Sequence, residues 1–205
     1  MRIYRDLIFP WVLDWVMSRP EMMRQRERAL ADVSGEVLEV GFGTGLNLAI
    51  YPPTVTQLRA LDPVSMLRRR VARRIEAARM PVEFDELEAE RLPYDDARFD
   101  SVVSTWTLCT IPDVAIALGE VRRVLRPGGR FFFLEHGRSG DAGVARWQDR
   151  LNPLQRIVGV GCNLNRPIDS LISAAGLDIT RLERFQMPHT PRVAAEHYLG
   201  EAQPS

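Results

Sequence analysis

Runs dense in apolar residues alternate along this chain with stretches whose apolar positions return every three or four residues. Glu36–Val40 passes into β-branched and apolar residues as a buried strand does. Gln57–Asp62, Val82–Leu87 and Phe99–Ser104 have the same character. Arg130–His136 is apolar through Phe131, Phe132, Phe133 and Leu134, the mark of a strand covered on both faces. Between these runs the spacing predicts a helix from Pro63 to Arg79 and a short helical turn at Leu46–Ile50. A further helix is predicted over Pro112–Leu125, carried by Val114, Ile116, Ala117, Val121 and Leu125 and ended by Pro127-Gly128-Gly129. Past a loop through Gly140 come an inserted segment over Val144–Asn165 and a helix over Asp169–Ala175. Two strands close the chain, Leu177–Phe185 and Arg192–Leu199, joined through Pro188 and Pro191. The expected fold is α/β: a doubly wound, Rossmann-like sheet of seven strands, mostly parallel with the last strand antiparallel.

The organisation that follows is an N-terminal helical cap or lid over residues 1–35 and one domain over 36–205, with an acceptor-side insertion at about 140–168. In the cap, Tyr4, Leu7, Ile8, Trp11, Val12 and Trp15 form an apolar helical stripe, and Pro10 is expected to break or kink the helix near Phe9. The stripe can pack on the core, act as a lid, or lie on a membrane surface. Arg5, Asp6 and Asp14 mix charges on the polar face, which favours lid or core and leaves membrane contact open but not favoured. Leu7–Leu13 is short and interrupted by Pro10, so neither a signal peptide nor a membrane span is expected.

Composition narrows the chemistry. With 205 residues, 45% hydrophobic and 26% charged, the chain can bury a substantial core. A formal net charge of zero gives no reason to expect a nucleic-acid partner. Arg68, Arg69, Arg70, Arg73 and Arg74 cluster, and a solvated helix face accounts for them better than an RNA groove. All 27 basic residues are arginine, which excludes the lysine of a phosphate-binding P-loop, Tyr-x-x-x-Lys dehydrogenases and Schiff-base catalysis. Two cysteines make no disulfide framework, so a reducing, cytoplasmic setting is expected, peripheral to a membrane only if the stripe serves there.

After the first strand, Gly41, Gly43 and Gly45 alternate, so backbone can turn sharply and come close to a ligand. Leu46 stands where a dinucleotide fingerprint needs its third glycine. Glu39, two residues ahead of Gly41, repels a pyrophosphate and suits a cation. Asp62 ends the second strand 21 residues after Gly41, close to the offset at which an acid meets a ribose diol. Its other reading is a helix N-cap ahead of Pro63.

Five motifs then occur in order: Val37-Leu38-Glu39-Val40-Gly41-Phe42-Gly43-Thr44-Gly45, Leu61-Asp62-Pro63, Ala89-Glu90-Arg91-Leu92-Pro93, Phe99-Asp100-Ser101-Val102 and Val124-Leu125-Arg126-Pro127-Gly128-Gly129. Together they resemble a class I S-adenosylmethionine-dependent methyltransferase over about residues 36–136. The resemblance implies S-adenosyl-L-methionine as cofactor. It also implies that Glu39 and the loop of Gly41, Gly43 and Gly45 hold the methionine moiety, with backbone near Thr105 at its amino-acid end. Asp62 would take the ribose hydroxyls, Met66 would lie near the adenine, and Glu88 and Ala89 would recognise it. Leu108-Cys109, Glu135-His136, Trp147-Gln148 and Gly161-Cys162-Asn163-Leu164 with Arg166 extend the likeness to the methyltransferase-like thiol S-methyltransferases. Those enzymes are membrane-associated and start with a longer hydrophobic segment than the stripe here.

The expected reaction is in-line transfer of a methyl group to a small, rather apolar acceptor, a thiol first. A quinone, phenolic or lipid acceptor methylated on C, O or N is the alternative. A cofactor-binding protein without catalysis and an NAD-dependent oxidoreductase are the readings from other classes. His136, ending a central strand, is the candidate catalytic base; its other reading is a structural imidazole. Trp11, Trp106, Cys109, Trp147, Cys162 and Asn163 are assigned to the substrate pocket, although Cys109 and Trp147 also suit a packed wall and Arg166 a structural bridge. His189 and His197 are expected to be structural or exposed. Histidines and cysteines so scattered along the chain suggest no metal site. Oligomeric state is left open.

Overall fold

The computed structural model describes Tyr4, residues 8–64 and residues 67–205. Its elements are α1 (Phe9–Met17), α2 (Pro20–Leu30), β1 (Gly35–Val40), β2 (Val55–Leu61), α3 (Arg68–Glu76), β3 (Val82–Asp85), β4 (Phe99–Thr105), α4 (Val114–Val124), β5 (Leu125–His136), α5 (Ala142–Val158), α6 (Ile168–Ala174), β6 (Leu177–Gln186), α7 (Arg192–Ala195) and β7 (Glu196–Pro204). The seven strands form one sheet in the order β3-β2-β1-β4-β5-β7-β6. All neighbours are parallel except β7, which is antiparallel to both β5 and β6.

Period-two alternation divides the core between the two faces of the sheet. Leu38, Val102, Phe131 and Phe133 point to the side covered by α4 and α6, where Leu118, Val121, Ile168 and Ile172 meet them. Val37, Val103 and Phe132 point to the other side, against Leu30, Val71 and Phe42. Registers Val40↔Leu61, Val40↔Ser104 and Thr105↔Leu134 bring the carboxyl ends of β1, β2, β4 and β5 out along one edge. Ligands of open α/β sheets bind at that edge.

Several element boundaries differ from the sequence reading. Leu46–Ala49 is only a single 3-10 turn, because Pro52 and Pro53 follow at once and bar Tyr51 from continuing a helix. The helix expected from Pro63 is confined to Arg68–Glu76 and entered through Leu67 at φ 46°. The stretch expected as a strand from Arg192 begins instead as the helical turn α7 after Pro191, and β7 starts only at Glu196. β5 already pairs at Leu125, so Pro127-Gly128-Gly129 lies within an irregular strand and not in a separate turn.

The N-terminal stripe is the largest departure. Pro10 falls in the first turn of α1, where its missing N–H costs nothing, so it starts the helix and does not break it. Ile8, Trp11, Val12 and Trp15 are 48–63% exposed, which overturns core packing for the described part of the stripe; Leu7 lies outside the described residues. Asp14, from the polar face, is the residue turned inward, at 3% exposure. Arg70 and Arg74 of α3 pair with it, and Arg74 also donates to the Thr44 carbonyl at 2.6 Å. These two arginines therefore anchor the cap and are not simply a solvated face. Burial of the Asp14 carboxylate is outweighed by its bonds to Arg74, Thr44 and Arg70, and its pKa is lowered. Asp14→Ala is expected to free α1 and destabilise the protein by about 1–2 kcal/mol, the arginines being partly solvated. Chemical denaturation checks the size, and protease cleavage ahead of Pro20 checks the release. Among the described residues no helix is long and apolar enough to cross a membrane.

Candidate active site

The glycine loop leaves β1 under tight constraint. Gly41 has φ +77°, and a Cβ there would sit 2.0 Å from Thr107 Oγ1, so no side chain fits. Its N–H and that of Phe42 both donate to the Leu61 carbonyl, at 2.8 and 3.0 Å, pinning the loop to β2. Gly43 (φ +58°) is the opposite case: a Cβ would meet nothing within 4 Å, leaving an open flank. Asp62 is buried beneath that flank and accepts from Gly43 N–H at 2.8 Å and Val64 N–H at 3.0 Å. Burial raises its pKa against those two bonds.

Glu39 is 1% exposed and accepts from Asn47 Nδ2 at 2.9 Å and the Tyr51 hydroxyl at 2.7 Å. Burial lifts its carboxyl to about 7, against the opposing pull of Tyr51, Arg26 and Asn47. Arg26 was not anticipated. It reaches in from α2, donates to Asn47 Oδ1 at 2.8 Å and Thr105 Oγ1 at 2.7 Å, and lies 4.7 Å from the Trp106 ring centre. Its Nε is buried with no hydrogen-bond partner among the described residues. Desolvation lowers the guanidinium to about 10, although Glu39 favours its charge. One signal was available: Arg26 shares a helical face with Ala29 and Leu30, both buried, so a cation occupies an apolar-stripe position. Of the remaining donor-side candidates, Thr105 is buried, Ala89 is buried in the core, and Glu88 is exposed in the loop after β3. Met66 lies outside the described residues.

At the ends of β4 and β5 the fold gathers residues that lie far apart in sequence. His136 Nε2 is 3.1 Å from Cys162 Sγ, and Cys162 Sγ is 3.5 Å from Cys109 Sγ. Asn163 holds the loops together, its backbone N–H and side-chain amide donating to the Cys109 carbonyl at 2.9 and 2.8 Å. The scatter along the chain, which suggested no metal site, is thus misleading about space: these two thiols and the imidazole lie within 4.8 Å of one another. Loop crossing at the sheet edge brings them together, which linear spacing cannot report. Contact with Cys109 and the imidazole lowers the Cys162 thiol pKa, against burial, while contact with Cys162 and burial raise that of Cys109. Burial opposes charging of His136, and the Cys162 sulfur and Glu135 outweigh it, so its pKa is raised.

Glu135 is fully buried and accepts from Ser104 Oγ at 2.7 Å and from Thr107 and Leu108 N–H at 3.0 and 3.1 Å, fixing the loop that bears Cys109. Arg166 bridges to the carbonyls of Leu108 and Ile111. Two tryptophans do not join the group. Trp11 is 54% exposed under Arg70. Trp147 is 55% exposed and lines a separate shallow hollow with Arg146, Arg150 and Arg192, whereas Trp106 is half-buried at the sheet edge. His197 is buried beside the Ala195 carbonyl at 2.8 Å and its pKa falls to about 4 through burial; His189 is exposed.

Residues 38–133 match the family described as a methyltransferase domain. The chain is 31% identical to thiol S-methyltransferase TMT1A of Homo sapiens, over 95% of this chain and 85% of that protein. With thiol S-methyltransferase TMT1B of Homo sapiens the identity is 33%, over 90% and 78%. The chain belongs to the class I S-adenosylmethionine-dependent methyltransferases. In fold, this methyltransferase is similar to the N-methyltransferase NodS from Bradyrhizobium japonicum WM9 in complex with S-adenosyl-L-homocysteine. The TM-score is 0.71 at 17% identity, covering 99% of this chain and 96% of that one.

S-adenosylmethionine is the cofactor of the methyltransferase, and the residues present fit it. Its ammonium, carboxylate and ribose diol call for an acid, a cation and a second acid beside exposed backbone. Glu39, Arg26 with an Nε unpartnered among the described residues, Asp62 and the open flank of Gly43 offer groups of that kind.

Proposed function

We propose that this methyltransferase acts on a small, rather apolar thiol, with His136 as the base that prepares it. The observation that carries the reading is the imidazole at the end of β5 in contact with the Cys162 sulfur, on the edge where β4 and β5 open beside Thr105. The thiol S-methyltransferase activity named for the two human relatives supports the choice of thiol. S-adenosylmethionine, when bound, would supply a sulfonium methyl that an acceptor sulfur takes by in-line attack, with S-adenosylhomocysteine as the leaving group.

The chain's own groups divide the work. Glu39 takes the ammonium, Arg26 the carboxylate, and the backbone of Gly41, Gly43 and Gly45 admits the methionine chain. Asp62 takes the ribose hydroxyls, while Met66, Glu88 and Ala89 line the adenine side and Thr105 keeps Arg26 in place. Trp106, Cys109, Cys162 and Asn163 wall the acceptor, and Trp11 and Trp147 are left outside that wall. A thiol of pKa about 8–9 is mostly neutral at pH 7, and only its thiolate displaces well. His136 accepts that proton when it is neutral, above its raised pKa, and below that pKa it is the imidazolium partner of the Cys162 sulfur. A walled pocket then brings thiolate and sulfonium together with little water between them.

Radiolabelled donor offered with a thiol, a phenol, a quinol and an amine tests the acceptor. Label is expected in the thioether alone, and label only in a phenol, quinol or amine product would replace this reading. Cofactor binding also carries a pH signature. The free Glu39 carboxyl, raised to about 7, must ionise to meet a cation, so affinity rises with pH up to about 7 and then levels. Below that point calorimetry should show weakening of about tenfold per pH unit. Glu39→Gln should flatten the slope.

A further inference from the structure

Methyl transfer needs no second thiol on the protein, yet two stand within reach of one another beside the imidazole. Cys162 is the better nucleophile by placement: it is half-buried, whereas Cys109 is 2% exposed, and it alone contacts both His136 and the other sulfur. A thiolate held by an imidazolium is the reactive form of cysteine. Cys109 faces it at 3.5 Å and donates to the Trp106 carbonyl at 3.7 Å. The Asn163 N–H bond to the Cys109 carbonyl sets the two backbones side by side at 2.9 Å. The two sulfurs, 3.5 Å apart, must close by about 1.5 Å to reach disulfide length.

We infer that Cys162 and Cys109 are a dithiol that exchanges with small disulfides, Cys162 attacking and Cys109 resolving. The chemistry balances without further components. Cys162 thiolate attacks one sulfur of RS–SR, forming a Cys162–SR mixed disulfide and expelling RS⁻. Cys109 then attacks Cys162 Sγ, forming the Cys109–Cys162 disulfide and expelling the second RS⁻, with its own proton passing to solvent through His136. Two electrons move from the protein dithiol to the disulfide, and two molecules of a small thiol restore the reduced protein. The exchange rests on these sulfurs alone. That its product is the methyl acceptor rests on the thiol reading above: a disulfide opened here yields a thiolate already deprotonated, so the proton step assigned to His136 is not needed for it.

The test uses the full-length reduced protein, without cofactor, and 5,5′-dithiobis(2-nitrobenzoate) as probe. Two equivalents of the coloured thiol are expected, the first in a phase whose rate is nearly independent of pH between 6 and 8. The protein should end as a Cys109–Cys162 cross-link without bound probe, seen by peptide mass mapping. Cys109→Ser should stop at one equivalent with the mixed disulfide retained on Cys162, and Cys162→Ser should lose the fast phase. The inference is overturned if both thiols end as separate mixed disulfides. It is equally overturned if they stay unreactive in the native protein, or react only after a chelator strips a bound metal. In a parallel single turnover without added reductant, wild-type protein with S-adenosylmethionine and a diaryl disulfide should yield one equivalent of aryl methyl thioether. Methylation of the free thiol without exchange sinks this inference alone. Exchange without methylation of any thiol sinks the thiol reading and leaves the exchange standing.

Discussion

Asp62→Ala is expected to weaken S-adenosylhomocysteine binding on the order of 100-fold or more while the protein stays folded. Two hydrogen bonds from a ribose diol to a carboxylate are worth about 1.5–3 kcal/mol each, and losing both gives at least that factor. The same carboxylate accepts from the backbone of Gly43 and Val64 at 2.8 and 3.0 Å, so its loss also loosens the loop facing the cofactor. Asp62→Asn separates the two effects. The amide keeps the shape and one acceptor oxygen, and binding should fall on the order of tenfold, with a smaller change in melting temperature. Calorimetry gives the affinities and circular dichroism the folding. Undiminished affinity in the alanine variant would refute the ribose role.

His136→Ala is expected to lower kcat for an alkyl thiol on the order of 100-fold, leaving KM for the cofactor nearly unchanged. The diagnostic is the acceptor's own acidity. A thiol that is already ionised at the assay pH needs no base, so its rate should be nearly the same in the variant and the wild type. The pH profile carries the same information. Wild-type rate should rise through the elevated pKa of His136 and level off, whereas the variant's should climb only as the acceptor ionises at about pH 8–9. A uniform loss across acidic and ordinary thiols would mark His136 as a scaffold for Cys162 and Cys109, not a base.

The residues proposed for the donor half were legible because their signals are local. Gly41, Gly43 and Gly45 all take positive φ, with close approach at Gly41 and Gly45, Glu39 closes a strand, and Asp62 follows at one crossover's distance. A side chain's place at a strand tip follows from the pattern of that strand. Arg26 escaped because its helix precedes the sheet and its role depends on where α2 docks. Core packing of the stripe of Trp11 and Trp15 failed for a related reason. Periodicity says which residues share a face, but the pairing of Asp14 with Arg70 and Arg74 decides which face turns inward.

The acceptor half shows the limit more sharply. Cys109 and Cys162 lie on two separate connections and His136 ends β5, and nothing in their spacing brings an imidazole within 3.1 Å of one sulfur and that sulfur within 3.5 Å of another. The chain by itself determined the alternating strands and helices, the glycine loop, the two acids and the absence of lysine, since each is a property of neighbouring residues or of composition. Tertiary structure alone decided the inward turn of Asp14, the entry of Arg26 beside Glu39 and the meeting of the two thiols. Each of these is a contact between elements distant in sequence, set by how the loops at the sheet's edge cross and pack.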